Sequence, residues 1–162
     1  MALTKIGKIV NTHGIKGEIR LISDFKYKKR VFVKDFTIYI NDKAYIIESY
    51  RPHKNFDMIT LVGFYNINQV LDLVKNDAYV KVADLKLTKD EYLDDMIIGY
   101  NVKFEDIIIG TIFGVRFNPS NDLLEIKTES GVKLVPNKEY FIENVNHQDQ
   151  IITLKNCEGL LW

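Results

Sequence analysis

A single cysteine, Cys157, stands among the 162 residues, so no internal disulfide can form and a disulfide-stapled scaffold is disfavoured. The three histidines, His13, His53 and His147, are scattered without metal-ligand spacing, which argues against a zinc site. No apolar run approaches the ~20 residues that cross a bilayer, and the opening Met1-Ala2-Leu3-Thr4-Lys5 lacks the apolar core of a signal peptide. A cytoplasmic protein that needs no membrane, metal or cofactor is therefore expected. Local signatures of catalysis are missing as well. The adjacent carboxylates Asp94-Asp95 and Glu105-Asp106 sit among turn residues, and nothing around Ser23, Ser49, Ser120, Ser130 or Cys157 supplies a base and an orienting group.

An excess of charge of one sign is also lacking, with 22 Lys and Arg against 22 Asp and Glu. The distribution is uneven, however. Residues 1–85 carry 14 basic against 9 acidic side chains, a surplus of +5, and residues 86–162 carry 8 against 13, a deficit of −5. Such asymmetry suggests two bodies with different partners, the basic one being the better candidate for RNA.

The most informative stretch is Ile6-Gly7-Lys8-Ile9-Val10-Asn11-Thr12-His13-Gly14-Ile15-Lys16-Gly17-Glu18-Ile19-Arg20-Leu21. Its ends alternate like half-buried strands, with Ile6 and Val10 expected on one face and Ile19 and Leu21 sharing another, so the glycines between them mark a turn. Gly14 and Gly17 can take positive φ without a Cβ clash, which permits a tight reversal and close backbone approach. A phosphate-binding P-loop needs wider glycine spacing and a following helix, and the glycine loop of KH domains joins two helices. Neither context is present.

The string resembles the opening of the ribosome maturation factor RimM family, in which a strand is followed by His-Gly-[Ile/Leu]-[Lys/Arg]-Gly-Glu and a second strand. His13, Gly14, Ile15, Lys16, Gly17 and Glu18 match that motif position by position. Asn121-Asp122-Leu123-Leu124, Leu134-Val135-Pro136 and Glu158-Gly159-Leu160-Leu161 look like the family's second domain, so the resemblance spans essentially the whole chain. It implies an all-β protein of two small β-barrels. Residues 1–87 would form a barrel like the second domain of translation elongation factors, and residues 88–162 a PRC barrel. It further implies a non-catalytic chaperone of ribosome biogenesis, acting as a monomer in small ribosomal subunit maturation. Such a factor binds the head of the pre-ribosomal particle through small-subunit ribosomal protein nineteen and assists rRNA folding and rRNA processing. The alternatives are a stand-alone RNA-binding β-barrel module and a small enzyme on a barrel fold, since fold does not fix function.

Along the chain, strands are expected at Ile6–Val10, Glu18–Ile22, Phe36–Ile40, Ala44–Tyr50, Met58–Val62 and Tyr79–Val82, with one helix over Asn66–Lys75 that puts Val70, Leu71 and Val74 on one face. Between the second and third strands, Phe25–Lys34 interleaves cations with aromatics. Lys26, Lys28, Lys29 and Arg30 are candidate contacts for rRNA phosphates; the alternative is a surface segment whose long side chains lie over a barrel. A capping-box spacing at Thr88-Lys89-Asp90-Glu91 marks the connection, and the domain boundary is placed near residue 88. Beyond it, strands are expected at Tyr100–Glu105, Ile107–Val115, Leu123–Lys127, Val132–Pro136, Tyr140–Val145 and Ile151–Leu154. Pro136 should end its strand, having no N–H for the ladder.

The family carries a paired aromatic before Asp-Leu-Ile-Gly at the entrance to its second barrel. The corresponding run here is Tyr92-Leu93-Asp94-Asp95-Met96-Ile97-Ile98-Gly99, in which Tyr92 matches one aromatic, Leu93 or Glu91 replaces the other, and Asp95 aligns after a slip of one residue. Tyr92, Asp95 and the terminal Trp162 are the candidate partner-binding residues. For Tyr92 the alternative is packing beneath the linker, and for Trp162 it is capping a barrel end.

Overall fold

β1 (Leu3–His13) runs through both ends of its neighbourhood, pairing antiparallel with β2 (Glu18–Ile22) on one side and with β6 (Asp77–Lys81) on the other. Between them β3 (Thr37–Ile40), β4 (Lys43–His53) and β5 (Phe56–Leu61) complete a closed barrel in the order β1-β2-β5-β4-β3-β6. The computed structural model describes residues 2–89, 91–116, 118 and 120–161. The chain divides into two compact units, Met1–Lys86 and Leu87–Trp162.

The barrel interior is aliphatic: Ile6, Ile9, Ile19, Leu21, Ile38, Ile40, Ile47, Ile59, Leu61 and Val80 are all buried. Simple alternation predicts Ile6 and Val10 on one face, yet Ile6 and Ile9 are the buried pair and Val10 is only partly covered. The cause is two irregularities in β1, between Lys5 and Gly7 against β6 and between Ile9 and Asn11 against β2. Each adds a residue and flips the side-chain phase.

The stretch expected as a helix over Asn66–Lys75 is broken. α2, if the short helix Lys28–Val31 is taken as α1, covers only Ile67–Val70, and a 3-10 turn follows at Leu71–Leu73. Asn66 caps it, in a reciprocal box with Gln69. The buried pair is Val70 and Leu73, while Leu71 is exposed. Spacing of three suits the tighter 3-10 turn, and Lys75 then leaves the segment in a left-handed conformation at φ 74°.

The interleaved segment folds as α1, placing Val31 and Phe32 in the core. Lys28 Nζ lies 3.3 Å from Asp57 Oδ2, and the Tyr50 hydroxyl donates to Asp57 Oδ1 at 2.7 Å. Asp57 is only 3% exposed, and burying a carboxylate is costly without such partners. Tyr50 also stacks on Phe32, with centroids 5.7 Å apart and planes 10° from parallel. Arg30 Nη1 donates to the Leu85 carbonyl at 3.1 Å. Lys28 and Arg30 are thus tied into the fold of the first unit, whereas Lys26 and Lys29 are exposed.

In the second unit, β7 (Asn101–Phe104), β8 (Ile107–Arg116), β9 (Leu123–Thr128), β10 (Gly131–Pro136), β11 (Ile142–Asn146) and β12 (Ile151–Leu154) form one sheet in the order β10-β9-β8-β7-β12-β11. Among the described residues only β12 and β7 run parallel. β10 does end at Pro136. Val102, Ile112, Ile126, Val135 and Ile152 build the core, closed by Cys157 and by Leu161 of the short helix α3 (Glu158–Leu161).

Burial, and then the bond to Asp57 and its charge, push the Tyr50 phenol up to about 12 from an ordinary value of 10.0. The folded state therefore holds its proton across a window in which the unfolded chain has lost it. Folding stability should fall as pH rises from about 10 to about 12. Denaturant unfolding series on either side of pH 10.0 should show that loss in the native chain and a smaller loss in Tyr50→Phe; equal losses would remove Tyr50 from the network.

Candidate functional site

The His13–Glu18 segment is a hairpin turn closed by the pairing of His13 with Glu18 at the ends of β1 and β2. Gly14 and Gly17 both have positive φ, 69° and 92°. Gly14 faces open space, but a Cβ on Gly17 would stand 2.7 Å from the Phe64 carbonyl oxygen. The Ile67 N–H donates to the Ile15 carbonyl at 2.9 Å. One flank of the turn is thus seated against the segment before α2, while Ile15 is 75% exposed beside the exposed Lys16.

From this turn the barrel ladder carries a row of side chains across β2, β5 and β4. Paired residues on neighbouring strands point to the same face. Arg20 of β2 pairs with Met58 of β5, which pairs with Arg51 of β4. One step along, Phe56 pairs with His53. His13, Glu18, Arg20, Phe56, Arg51 and His53 therefore share the outer wall, and Lys54 follows in the β4–β5 turn.

Their contacts are specific. Arg51 makes a forked pair with Glu18, Nε to Oε2 at 2.9 Å and Nη2 to Oε1 at 2.8 Å. That hydrogen bonding lowers the Glu18 carboxyl below its ordinary value against an opposing effect of burial, with the charges of Arg51, His13 and His53 adding to it. The Arg20 Nη2 lies 3.0 Å from His13 Nδ1, and a guanidinium can only donate in that contact. The Arg20 guanidinium also lies 4.9 Å over the Phe56 ring. The His13 and His53 rings are 5.7 Å apart. Burial, and then Arg51, Lys54, His13 and Arg20, lower the pKa of His53.

Of the wall's residues only His13 and Glu18 stand out in the sequence, through the turn motif. Arg20, Arg51, His53 and Phe56 are brought to them by the pairing of β2 with β5, which skips two strands. The available signal was local: charged residues at alternate positions on β2 and β4.

In the second unit Tyr92 is 4% exposed and belongs to the core. Its hydroxyl donates to Asn137 Oδ1, and its ring meets His147 edge-on at 6.3 Å. The ring is thus packed within its own unit, against the residues of that core. Asp95 is exposed in a 3-10 turn, Asp94–Ile97. Met96 and Ile98 of that region and Phe113 of β8 are exposed apolar side chains. Trp162 lies outside the described residues. Glu91 Oε1 accepts from the Thr88 N–H at 2.9 Å, half of the expected capping box; Asp90 of that box is outside the described residues. Among the described residues no group of three or more His, Cys, Asp and Glu could hold a metal ion.

Gly17→Ala should destabilise the chain by roughly 1–3 kcal/mol, since strain at positive φ is joined by the clash with Phe64. Gly14→Ala should cost about 1 kcal/mol and Gly14→Asn less, because the site is open and Asn tolerates the left-handed region. Urea denaturation of the three variants checks this; equal costs at both glycines would deny the seat against Phe64.

Residues 4–85 match the RimM N-terminal domain and residues 94–160 the RimM PRC barrel domain. The chain is 36% identical to the ribosome maturation factor RimM of Bacillus mycoides over 167 residues, covering 96% of each. It is likewise 36% identical to that of Bacillus thuringiensis over 165 residues, again covering 96% of each. The solution structure of the N-terminal domain of RimM from Thermus thermophilus aligns with a TM-score of 0.46 at 22% identity, covering 52% of this chain and 95% of that one. With both domain patterns present in order and that identity along nearly its full length, the chain belongs to the ribosome maturation factor RimM family.

Proposed function

We propose that this protein is a non-catalytic assembly factor for the small ribosomal subunit, working in the cytoplasm on the pre-ribosomal particle. The observation that carries this is the full-length match to curated ribosome maturation factors, 36% identical across both domains. Two domains, 1–87 and 88–162, divide the labour. The first, with its surplus of cations, contacts rRNA and assists its folding and processing. The second, with a deficit of charge, suits a basic partner, small-subunit ribosomal protein nineteen at the particle's head. Asp95 and the exposed Met96, Ile98 and Phe113 are candidate contacts; Tyr92 supports that surface from beneath.

The mechanism needs no reaction. A factor that binds an immature particle more tightly than the mature one shifts the folding equilibrium by the difference in its two binding free energies, about 1.4 kcal/mol for each tenfold preference. Release follows when the mature fold no longer offers the better site.

Sedimentation of the tagged full chain with ribosomal particles on gradients tests the proposal. Enrichment on immature small subunits is expected, with little on mature ones. Equal binding to any RNA would favour the stand-alone RNA module, and absence from all particles would contradict both.

A further inference from the structure

We propose that the outer wall of the first unit, built by Arg20, Arg51 and Lys54 with His13 and His53, is the surface that grips an RNA sugar-phosphate backbone. This deepens the assembly-factor reading and rests on it for the source of the RNA. It moves the RNA contact away from the Lys26–Arg30 segment, where Lys28 is engaged by the buried Asp57 and Arg30 by the Leu85 carbonyl.

Three observations carry the proposal. The first is geometric. Arg20 and Arg51 flank β5 on one face, two strand spacings or roughly 10 Å apart at the backbone, and the ladder fixes them there. The second is chemical. Arg51 already grips a carboxylate with a two-pronged fork, the geometry with which guanidinium takes phosphate. Glu18 can therefore act as a placeholder that an incoming phosphate displaces. Arg20 uses Nη2 on His13, and its buried Nε has no hydrogen-bond partner, a donor that an anionic oxygen can satisfy after a small shift of the side chain. The third is the company these cations keep. The Arg20 guanidinium lies 4.9 Å from the centre of the Phe56 ring, and an aromatic ring beside a guanidinium offers a base something to stack on. An acidic protein segment would use the charges but leave this ring idle.

The two histidines give the wall a signature that a merely solvated cluster lacks. His53 is faced by His13 from β1, by Glu18 and Arg20 from β2, and by Arg51 and Lys54 along its own strand and turn. Burial, and then the charges of Arg51, Lys54, His13 and Arg20, lower its pKa. A bound phosphate cancels their field and favours the imidazolium, so binding takes up a proton and tightens as pH falls.

The test uses the full chain and an in-vitro transcript of small-subunit rRNA, with affinity measured across a salt series and from about pH 8 to about pH 6. R20Q/R51Q should weaken binding and lower the slope of log affinity against log salt by roughly 0.7–0.9 for each phosphate no longer neutralised. R51Q/K54Q, which leaves the Arg20–Phe56 contact intact, should do the same if the first variant folds poorly. H13Q/H53Q should flatten the pH dependence, and K26Q/K29Q should leave the slope unchanged. A native slope in both arginine variants, or an equal loss in K26Q/K29Q, would overturn the assignment. So would loss of particle binding by the arginine variants when the wild-type chain ignores the protein-free transcript, which would point to an acidic protein segment. A wild-type chain that sediments with immature particles but binds no transcript overturns this inference alone; one that does neither overturns the assembly reading with it.

Discussion

The hydrogen-bonded ladder that sets β5 between β2 and β4 is what the rest of the first unit depends on. It brings Arg20 and Arg51, thirty-one positions apart by number, to either side of Met58. It also brings Glu18 within a forked pair of Arg51. A one-residue slip of β5 would turn every outward side chain of that strand inward, and the aliphatic interior forbids it: Ile59 and Leu61, both buried, would then face water. Burial of apolar side chains on one face of the sheet thus fixes the charge pattern on the other.

Closure of the barrel needs support at its ends. Among the described residues, Tyr39 and Tyr79 alone pair between β3 and β6, so α1 and the segment around Leu85 matter for holding the interior dry. Val31, Phe32 and Leu85 are buried there. The Lys28–Asp57–Tyr50 contacts lock α1 in place, and the Arg30 bond to the Leu85 carbonyl ties down the exit of the unit. A cation-rich segment can be read as a ligand surface until its carboxylate is seen. Asp57 is twenty-nine positions beyond Lys28, and only the fold shows that they meet.

What was legible in the sequence was local. The turn at His13–Glu18, with Gly14 and Gly17 at positive φ, follows from glycine spacing between two alternating runs, whereas the seat of Gly17 against Phe64 is long-range. The end of β10 at Pro136 follows from the missing N–H. What escaped depends on long-range pairing or on tertiary burial. The phase flips in β1 come from its two different partners, and the helix expected over Asn66–Lys75 yields to a 3-10 turn because Val70 and Leu73 are the residues the core takes in. Tyr92 matched a family position, yet whether its ring faced out or in depended on Asn137 and His147, more than forty residues away. The wall of Arg20, Arg51 and His53 had no signature of its own, since its members lie on strands that neighbour each other only after closure.

The measurement that bears most directly on the account is chemical-shift mapping of the isotope-labelled full chain as small-subunit rRNA transcript is added. Shifts concentrated at Arg20, Arg51, His53, Phe56 and the His13–Gly17 turn, with Lys26 and Lys29 unmoved, are the predicted result. Shifts confined to residues 26–34, or spread evenly over both units, would contradict it.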